Sequence, residues 1–415
     1  MKITNAKRFA LNLPFYAPHV DAAMHRANTH DERVYVYRLE TDNGLIGYGD
    51  GGFHEVEGIV GRNPFALMRD DRIGFGPQLA VLDLCGKDAG VPVHALLGVK
   101  LRNRCPISWW DIDMPAEDWA KEAKESVKRG YTSFKMKARP WRDIIDQVET
   151  VGKVVPGDYR FDVDFNGFLL GQPKAEQILT QLDEHPNVGI YESPFYLAKD
   201  PVGAKLLKER IRKPIAEHFQ EPVLHAHTSD AFVIGGGATE TIRQGTLAAS
   251  FNRPFWLQMV GVGFTTAFAG HIGSVLSHAQ LPYITCHELW KDDLIKQPIT
   301  VSDGYMTVSD KPGLGVEADE KAIEKYSVDQ DEPTGTKRYR AKKRILRVVW
   351  PGVGKSTRTW EFTDEAVYQP EFYKGNLPGF ERGVHLEVLE DDGSAAFKKT
   401  HAKLEDQEAL VTRSW

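Results

Sequence analysis

The chain has 415 residues, 41% of them hydrophobic and 27% charged, with a formal net charge of −6. That is the balance of a soluble globular protein long enough for a large domain and a smaller partner. Neither sign of charge dominates the first 330 residues, which argues against nucleic acid as the main partner, because duplex binding needs a basic face. No run approaches the roughly 20 apolar residues that span a bilayer, and the opening MKITNAKRFALNLPFYAP lacks the apolar core of a secretory leader. No membrane partner is expected. Cys85, Cys105 and Cys286 are odd in number and far apart. They offer no disulfide framework or zinc pairing and suit a reducing cytoplasm.

The opening reads as β-rich. Lys2 to Leu13 alternates, Arg33 to Glu40 alternates more clearly, and Gly44 to Gly49 follows, with Asn43-Gly44 as a hairpin signal between the last two. Pro77 to Ala89 carries Leu79, Leu82 and Ala89 at helical spacing. A small α+β domain over residues 1–110 is expected. From Cys105 the pattern changes to short apolar strands alternating with amphipathic helices. The strands are Ser133–Met136, Arg160–Asp164, Val188–Glu192, Pro214–Glu217, Asp230–Ile234, Phe255–Met259 and Tyr283–His287, with one more near Ile107. The helices between them include Ala116–Arg129, Trp141–Val154, Lys174–Glu184, Ala238–Asn252 and Thr265–His278. Repeated β-then-α units imply parallel strands covered by helices, so residues 111–318 read as a modified TIM-type (β/α) barrel. The stretch from Glu217 to Asp230 is too short for a full helix, and the barrel is expected to be irregular there.

Residues 319–415 read as a polar C-terminal extension, with 328–336 (VDQDEPTGT) as a linker and β-like runs such as HLEVLE (385–390). KRYRAKKRILR (337–347) holds seven basic residues in eleven and is expected to be a solvated face or tail. GVGKST (352–357) invites a phosphate-loop reading, which fails because the full pattern needs glycine where Val349 stands.

Barrel enzymes carry their chemistry at the C-terminal ends of the strands. Strand two ends in Lys135-Met136-Lys137, strand three in Asp164-Phe165-Asn166, strand four in Glu192-Ser193-Pro194 and strand five in Glu217-His218. The steps from Asp164 to Glu192 and from Glu192 to Glu217 are 28 and 25 residues, each one βα unit. A single carboxylate at a strand end is commonly a helix cap. Three on successive strands would converge, repel one another and raise their pKa values. A hard divalent cation resolves that repulsion, and all-oxygen ligation suits Mg²⁺. Lys135 and Lys137 lie two apart and share a strand face. A lysine must be partly neutral to accept a proton, and a second ammonium, a nearby cation and burial all favour that. Lys137, nearer the strand end, is the expected base and Lys135 the residue that tunes it.

A KxK strand end, DxN, ExP and a further Glu on the next strand resemble the barrel signature of the enolase superfamily, in its mandelate racemase and muconate cycloisomerase branch. DLCGKDAGVPVHALLG (83–98) is similar to that family's capping-domain segment. The resemblance covers roughly residues 1–318. It implies Asp164, Glu192 and Glu217 as metal ligands, with Glu288 of TCHELW supporting the substrate carboxylate and Asn166 bonding the substrate or a lysine. It also implies removal of the α-proton of a carboxylate substrate through an enediolate, a class of site that uses a Lys or His base with Mg²⁺.

Two departures narrow the reading. Gln258 falls about where the family's strand-seven histidine is expected, and DAFVIGGG has no strand-six lysine, so an acceptor on the second face of the substrate is missing. PIAEH is two residues shorter than the family's strand-five segment, which leaves Glu221 as a fallback for Glu217. His218 is a candidate for the missing acid, and His287, beside Glu288, is a further substrate contact, while His225 and His227 also lie near and His271 reads as structural. The capping loops, residues 14–31 and 50–63, carry His19, His25, His30 and His54 and suggest a hydroxylated ligand. Dehydration of a sugar acid or related hydroxy-acid by a cytoplasmic homo-oligomer is therefore expected. A racemase, epimerase or cycloisomerase is the alternative within the family, and a non-catalytic carboxylate-binding relative the alternative outside enzymology.

Overall fold

The computed structural model of the chain describes residues 1–27, 31–352, 356–375, 379–407 and 409–414. His30 and residues 353–355 of the GVGKST stretch lie outside the described residues. Strands Ile3–Asn12, Arg33–Thr41 and Ile46–Gly51 form an antiparallel sheet, and the hairpin expected at Asn43-Gly44 joins the last two. Helix Phe75–Ala89 lies across this sheet. Gly47 and Gly49 permit it, since a Cβ on either would run into the helix backbone at Ala80 and Gly76. The Ser327–Val328 strand returns to pair with Ala10 and Leu11, so this N-terminal unit is completed by chain from beyond the barrel.

Seven parallel strands follow one another round the barrel in chain order, from Trp109–Asp111 through Ser133–Lys137, Arg160–Asp164, Val188–Glu192, Ile215–His218 and Ala231–Ile234 to Phe255–Leu257. Strand eight, expected over Tyr283–His287, is reduced to single bridges from Tyr283 to Ile107 and from Ile284 to Gln258, which close the ring. Pro282 has no N–H to give, and Cys286 turns left-handed with φ 59°, so only a short extended stretch remains between them. The connection after strand five holds the short helix Glu221–Ala226. Helix Ile144–Gly152 begins three residues later than the pattern suggests, because the Asp143 side chain caps it, accepting from the amides of Ile145 and Asp146 at 3.1 Å each. The architecture is a modified TIM-type (β/α) barrel with an N-terminal α+β capping domain. Buried Asp50 fastens the two, accepting from Val262 N at 2.8 Å and Thr265 N at 2.7 Å at the start of helix Gly263–Val275.

The C-terminal extension is folded, and its basic run, expected as a solvated face or tail, keeps Lys337, Arg338, Arg340, Lys342 and Lys343 exposed. The described residues from Gly335 onward form a folded unit with a four-stranded antiparallel sheet and helices. The basic run becomes helix Gly335–Ala341, capped by Thr334, and the start of the central strand Arg344–Trp350. Arg344 is buried and donates to Tyr339 O at 2.8 Å; Ile345 packs on one face of the strand with Phe397 and Leu404, and Leu346 and Val348 join the main core on the other. HLEVLE is the neighbouring strand, His385–Glu390. The unit packs on the barrel mouth. Tyr368 meets Trp141 edge-on at 5.1 Å between ring centres, Phe372 meets Phe168 at 5.6 Å and Phe380 meets Phe165 at 5.5 Å. No helix among the described residues is long and apolar enough to cross a membrane.

Candidate active site

Strand register builds the site. Lys137 pairs with Asp164 and Asp164 with Glu192, so these three occupy one rung at the strand ends; Lys135 pairs with Asp162 one rung below. Neighbouring strands stand about 4.8 Å apart, which brings side chains of one rung into contact. The Lys137 ammonium donates to Asp164 Oδ2. The Lys135 ammonium, fully buried, rests against Glu192 Oε2, lies 3.5 Å from Asp164 Oδ2 and donates to Gln258 Oε1 at 2.7 Å. Burial alone would lower Lys135, but the charges of Glu192, Asp164 and Asp162 outweigh it and hold the ammonium above the ordinary lysine range. Burial likewise works against Asp164, yet Lys137 and Lys135 keep its carboxyl far below the usual value.

The loops after the strands complete the cluster. Asn166, at φ 46°, donates its backbone N–H to Asp164 Oδ1 at 2.9 Å and its amide to Oδ2 at 3.3 Å. Ser193, at φ 44°, donates to Glu217 Oε1 at 2.7 Å. Left-handed residues directly behind two strand-end carboxylates are the strain that functional sites retain. Neither oxygen of Glu192 takes a hydrogen bond of ordinary geometry among the described residues; besides Lys135, its neighbour is the exposed His218, with Nε2 3.4 Å from Oε1.

The expected residues divide into two groups. Lys135, Lys137, Asp164, Asn166, Glu192, His218 and Gln258 come together, with Glu217 beside them through Ser193. Glu217 stands off the shared rung, because the strand-five residue opposite Glu192 is Ala216. Glu221 is exposed and pairs with Arg243 at 2.9 Å. Glu288 and His287 are not brought into the cluster. Glu288 Oε1 accepts from Trp110 N at 2.8 Å, and His287 contacts Thr285 Oγ1 at 3.0 Å and Tyr131 OH at 3.4 Å. Both line a separate cleft of about 800 Å³ whose wall includes Arg129 and Asp293. His19 bonds Glu122 at 2.7 Å and His25 bonds Glu32 at 2.6 Å, so these capping-loop imidazoles are engaged within the protein. His271 is structural, with Nε2 3.0 Å from Leu314 O.

Asp162, Ser193 and Arg139 are the residues sequence reasoning missed. Asp162 precedes Asp164 by two and Arg139 follows Lys137 by two, so extending the same-face alternation in either direction points to both.

Burial pushes the Glu288 carboxyl up to about 8 from an ordinary 4.5. Protonated when folded and ionised when unfolded across that interval, it contributes stability that is lost as pH rises through about 8. Glu288→Gln keeps an acceptor for Trp110 N–H and removes the titration. Melting curves should show wild type falling relative to this variant between about pH 5 and about pH 8.5; parallel curves would place the Glu288 proton elsewhere.

A cation is tested by the charge balance. Asp162, Asp164, Glu192 and Glu217 face two ammonium groups, and burial first, then the Glu192 charge, push Asp162 and Glu217 above their usual ranges. In the chain as it stands no cluster of three or more His, Cys, Asp or Glu side chains has ligand geometry among the described residues, with Lys135 between Asp164 and Glu192. The carboxylate oxygens of Asp164, Glu192 and Glu217 are hard donors, the chemistry that a divalent cation of the Mg²⁺ type takes.

Comparison with known proteins agrees with this architecture. Residues 118–322 match the family model described as Enolase C-terminal domain-like. An N-succinyl-L-Arg/Lys racemase of Bacillus cereus is 22% identical over 384 residues, covering 80% of this chain and 99% of the relative. An arabinonate dehydratase of Saccharolobus solfataricus is 23% identical, covering 72% and 91%, and a muconate cycloisomerase of Acinetobacter lwoffii is 27% identical, covering 61% and 69%. Among solved structures, the N-succinyl Arg/Lys racemase from Bacillus cereus superposes with a TM-score of 0.67 at 20% identity, covering 79% of this chain and 98% of that one. A muconate lactonizing enzyme from Pseudomonas fluorescens gives 0.67 at 19% identity, covering 79% and 99%. Residues 118–322 thus form an enolase C-terminal-like domain, in a chain whose homologues and structural neighbours come from the mandelate racemase and muconate cycloisomerase branch, acid-sugar dehydratases included.

Proposed function

We propose that the chain is a Mg²⁺-dependent lyase that removes the α-proton of a hydroxylated carboxylic acid and expels a β-hydroxyl, in the manner of an acid-sugar dehydratase. The observation that carries this reading is the rung Lys137–Asp164–Glu192, with Lys135 beneath it: a base-type side chain held beside carboxylates from successive strand ends. Asp164, Glu192 and Glu217 would hold the cation, which when bound supplies positive charge to the substrate carboxylate and to the more negative enediolate. Differential stabilisation of the latter lowers the barrier.

Lys137 is the base of this reading. Lys135 holds the carboxylates in place from below, and Asn166 orients Asp164 through two hydrogen bonds. Dehydration is favoured over racemisation by Gln258. By the family resemblance its amide falls about where a strand-seven histidine is expected; it bonds Lys135 at 2.7 Å and cannot take a proton at neutral pH. His218, exposed at the rim, is the group placed to protonate a departing hydroxyl.

The test is proton NMR in D₂O with a panel of sugar acids and hydroxy-acids, with Mg²⁺ or with chelator. Exchange of the α-proton or appearance of a keto acid is expected, falling roughly 100-fold or more on chelation. Mirror-image product would replace the dehydratase by a racemase. Turnover indifferent to chelator would remove the cation from the mechanism.

A further inference from the structure

A buried charge cluster joins the capping helix Pro18–Ala27, the loops after barrel strands one and two, and the C-terminal helix Glu365–Tyr373. Arg26, Asp113, Arg139, Arg142 and Glu365 are exposed by 4, 0, 8, 6 and 5%. Arg26 bonds Glu365 and donates to Asp113 Oδ2 at 3.0 Å, and Arg142 lies 3.4 Å from the same oxygen. Three guanidinium groups therefore share two carboxylates. Of the three, Arg139 is the one with no carboxylate at ion-pair distance among the described residues, though its charge still acts on Asp113 and Glu365. Its recorded hydrogen bonds are from Nη1 alone, to Ala138 O at 2.9 Å and Asn166 Oδ1 at 3.1 Å, with the guanidinium carbon 5.4 Å from the Phe168 ring centre.

A buried cation without a partner is costly, and buried charges are normally paired. Arg139 is also placed by the site itself: Asn166 bonds it on one side and Asp164 on the other, and Asp164 holds Lys137. The planar fork of an arginine suits a carboxylate taken up by two parallel hydrogen bonds. We propose that Arg139 receives a second carboxylate of the substrate, distal to the one whose α-proton is removed, so that this chain selects hydroxylated dicarboxylic acids over the corresponding monoacids. The proposal rests on the α-proton reading above for its turnover arm. Phe168, against which Arg139 lies, is backed by Phe372 and Tyr373, so the C-terminal unit supports this wall of the site.

The experiment compares aldaric and aldonic acids of equal chain length: D-glucarate against D-gluconate, galactarate against galactonate, tartrate against threonate. Full-length protein with Mg²⁺ is assayed for α-proton exchange, and ligand-induced shifts in melting temperature are read in parallel. Wild type is expected to favour at least one diacid over its monoacid by roughly 30-fold or more in kcat/KM, the scale of losing one partner of a buried charge pair. Arg139→Gln should bring that pair to within about threefold, mainly through KM. Arg139→Lys, which keeps the charge but loses the fork, should fall between them and guards against a folding failure of the glutamine variant. Equal loss on both acids in Arg139→Gln would overturn the proposal and leave Arg139 a positioning residue for Asn166. A monoacid preference in wild type, or none, would overturn it as well. If neither acid exchanges, the α-proton reading fails and the melting shifts decide: stabilisation by a diacid alone, abolished in Arg139→Gln, upholds the subsite, and equal or absent shifts overturn it.

Discussion

Lys137→Met is expected to lower α-proton exchange by about 10²- to 10⁴-fold, the usual contribution of a positioned general base. Methionine keeps the length and apolar stem of lysine, and the fold should tolerate it, because Asp164 keeps Lys135 at 3.5 Å and two hydrogen bonds from Asn166. Loss of charge at Asp164 is the competing explanation for a dead variant, and Lys137→Arg separates the two. Arginine can renew the ion pair with Asp164 but is never neutral in a protein, so it cannot act as a base. Both variants should therefore be inactive, while Lys137→Arg should melt close to wild type. The measurements are exchange rates by NMR and melting curves on the same preparations. An arginine variant with full exchange would remove Lys137 from the role of base and turn attention to His218, whose ring reaches the cluster from the rim.

The parts of this site that were legible in the sequence are those set by strand periodicity. Lys135 and Lys137 share a face because side chains alternate along a strand, and a carboxylate closing each of the next strands falls at the same height because parallel strands align their ends. The register puts Lys137, Asp164 and Glu192 on one rung accordingly. Glu217 shows the limit: strand ends read from the sequence fix register only to within a residue, and the pairing partners reveal that Ala216 stands opposite Glu192. Glu288 shows another. Its Oε1 accepts from the backbone N–H of Trp110, a partner 178 residues away that no local pattern announces. The C-terminal unit was read correctly at HLEVLE, where alternation is strong. Its basic stretch keeps Lys337, Arg338, Arg340, Lys342 and Lys343 exposed, as a solvated face does, while Arg344 is buried opposite Glu390, a strand partner distant in sequence. Net charge over a short window says nothing about such partners.

Replacing Glu192 by leucine should destabilise the fold by about 3–5 kcal/mol, as expected when one member of a buried ion pair is removed and the other stays charged. Lys135 has no access to water, and without Glu192 its remaining partners are Asp164 at 3.5 Å and the neutral Gln258 at 2.7 Å. Lys135→Met alone should also destabilise, since it leaves Glu192 buried beside Asp164 with the rim histidine as the basic group at ion-pair distance among the described residues. The double variant, Lys135→Met with Glu192→Leu, should recover part of the loss, because two well-packed apolar groups of similar size can replace a buried pair at little cost. Urea denaturation of the four proteins gives the coupling energy directly, and a value of about 0.5–3 kcal/mol favouring the double variant is expected for residues in contact. Additive losses would mean that Lys135 and Glu192 do not act on each other, and the rung would then be held by backbone register alone. A strong coupling carries a further consequence for chemistry. The ammonium of Lys135 stands between two carboxylates that are proposed to share a cation, so Mg²⁺ should raise the melting temperature of wild type and fail to do so in Glu192→Leu. Stabilisation of both proteins to the same extent would move the cation away from Glu192.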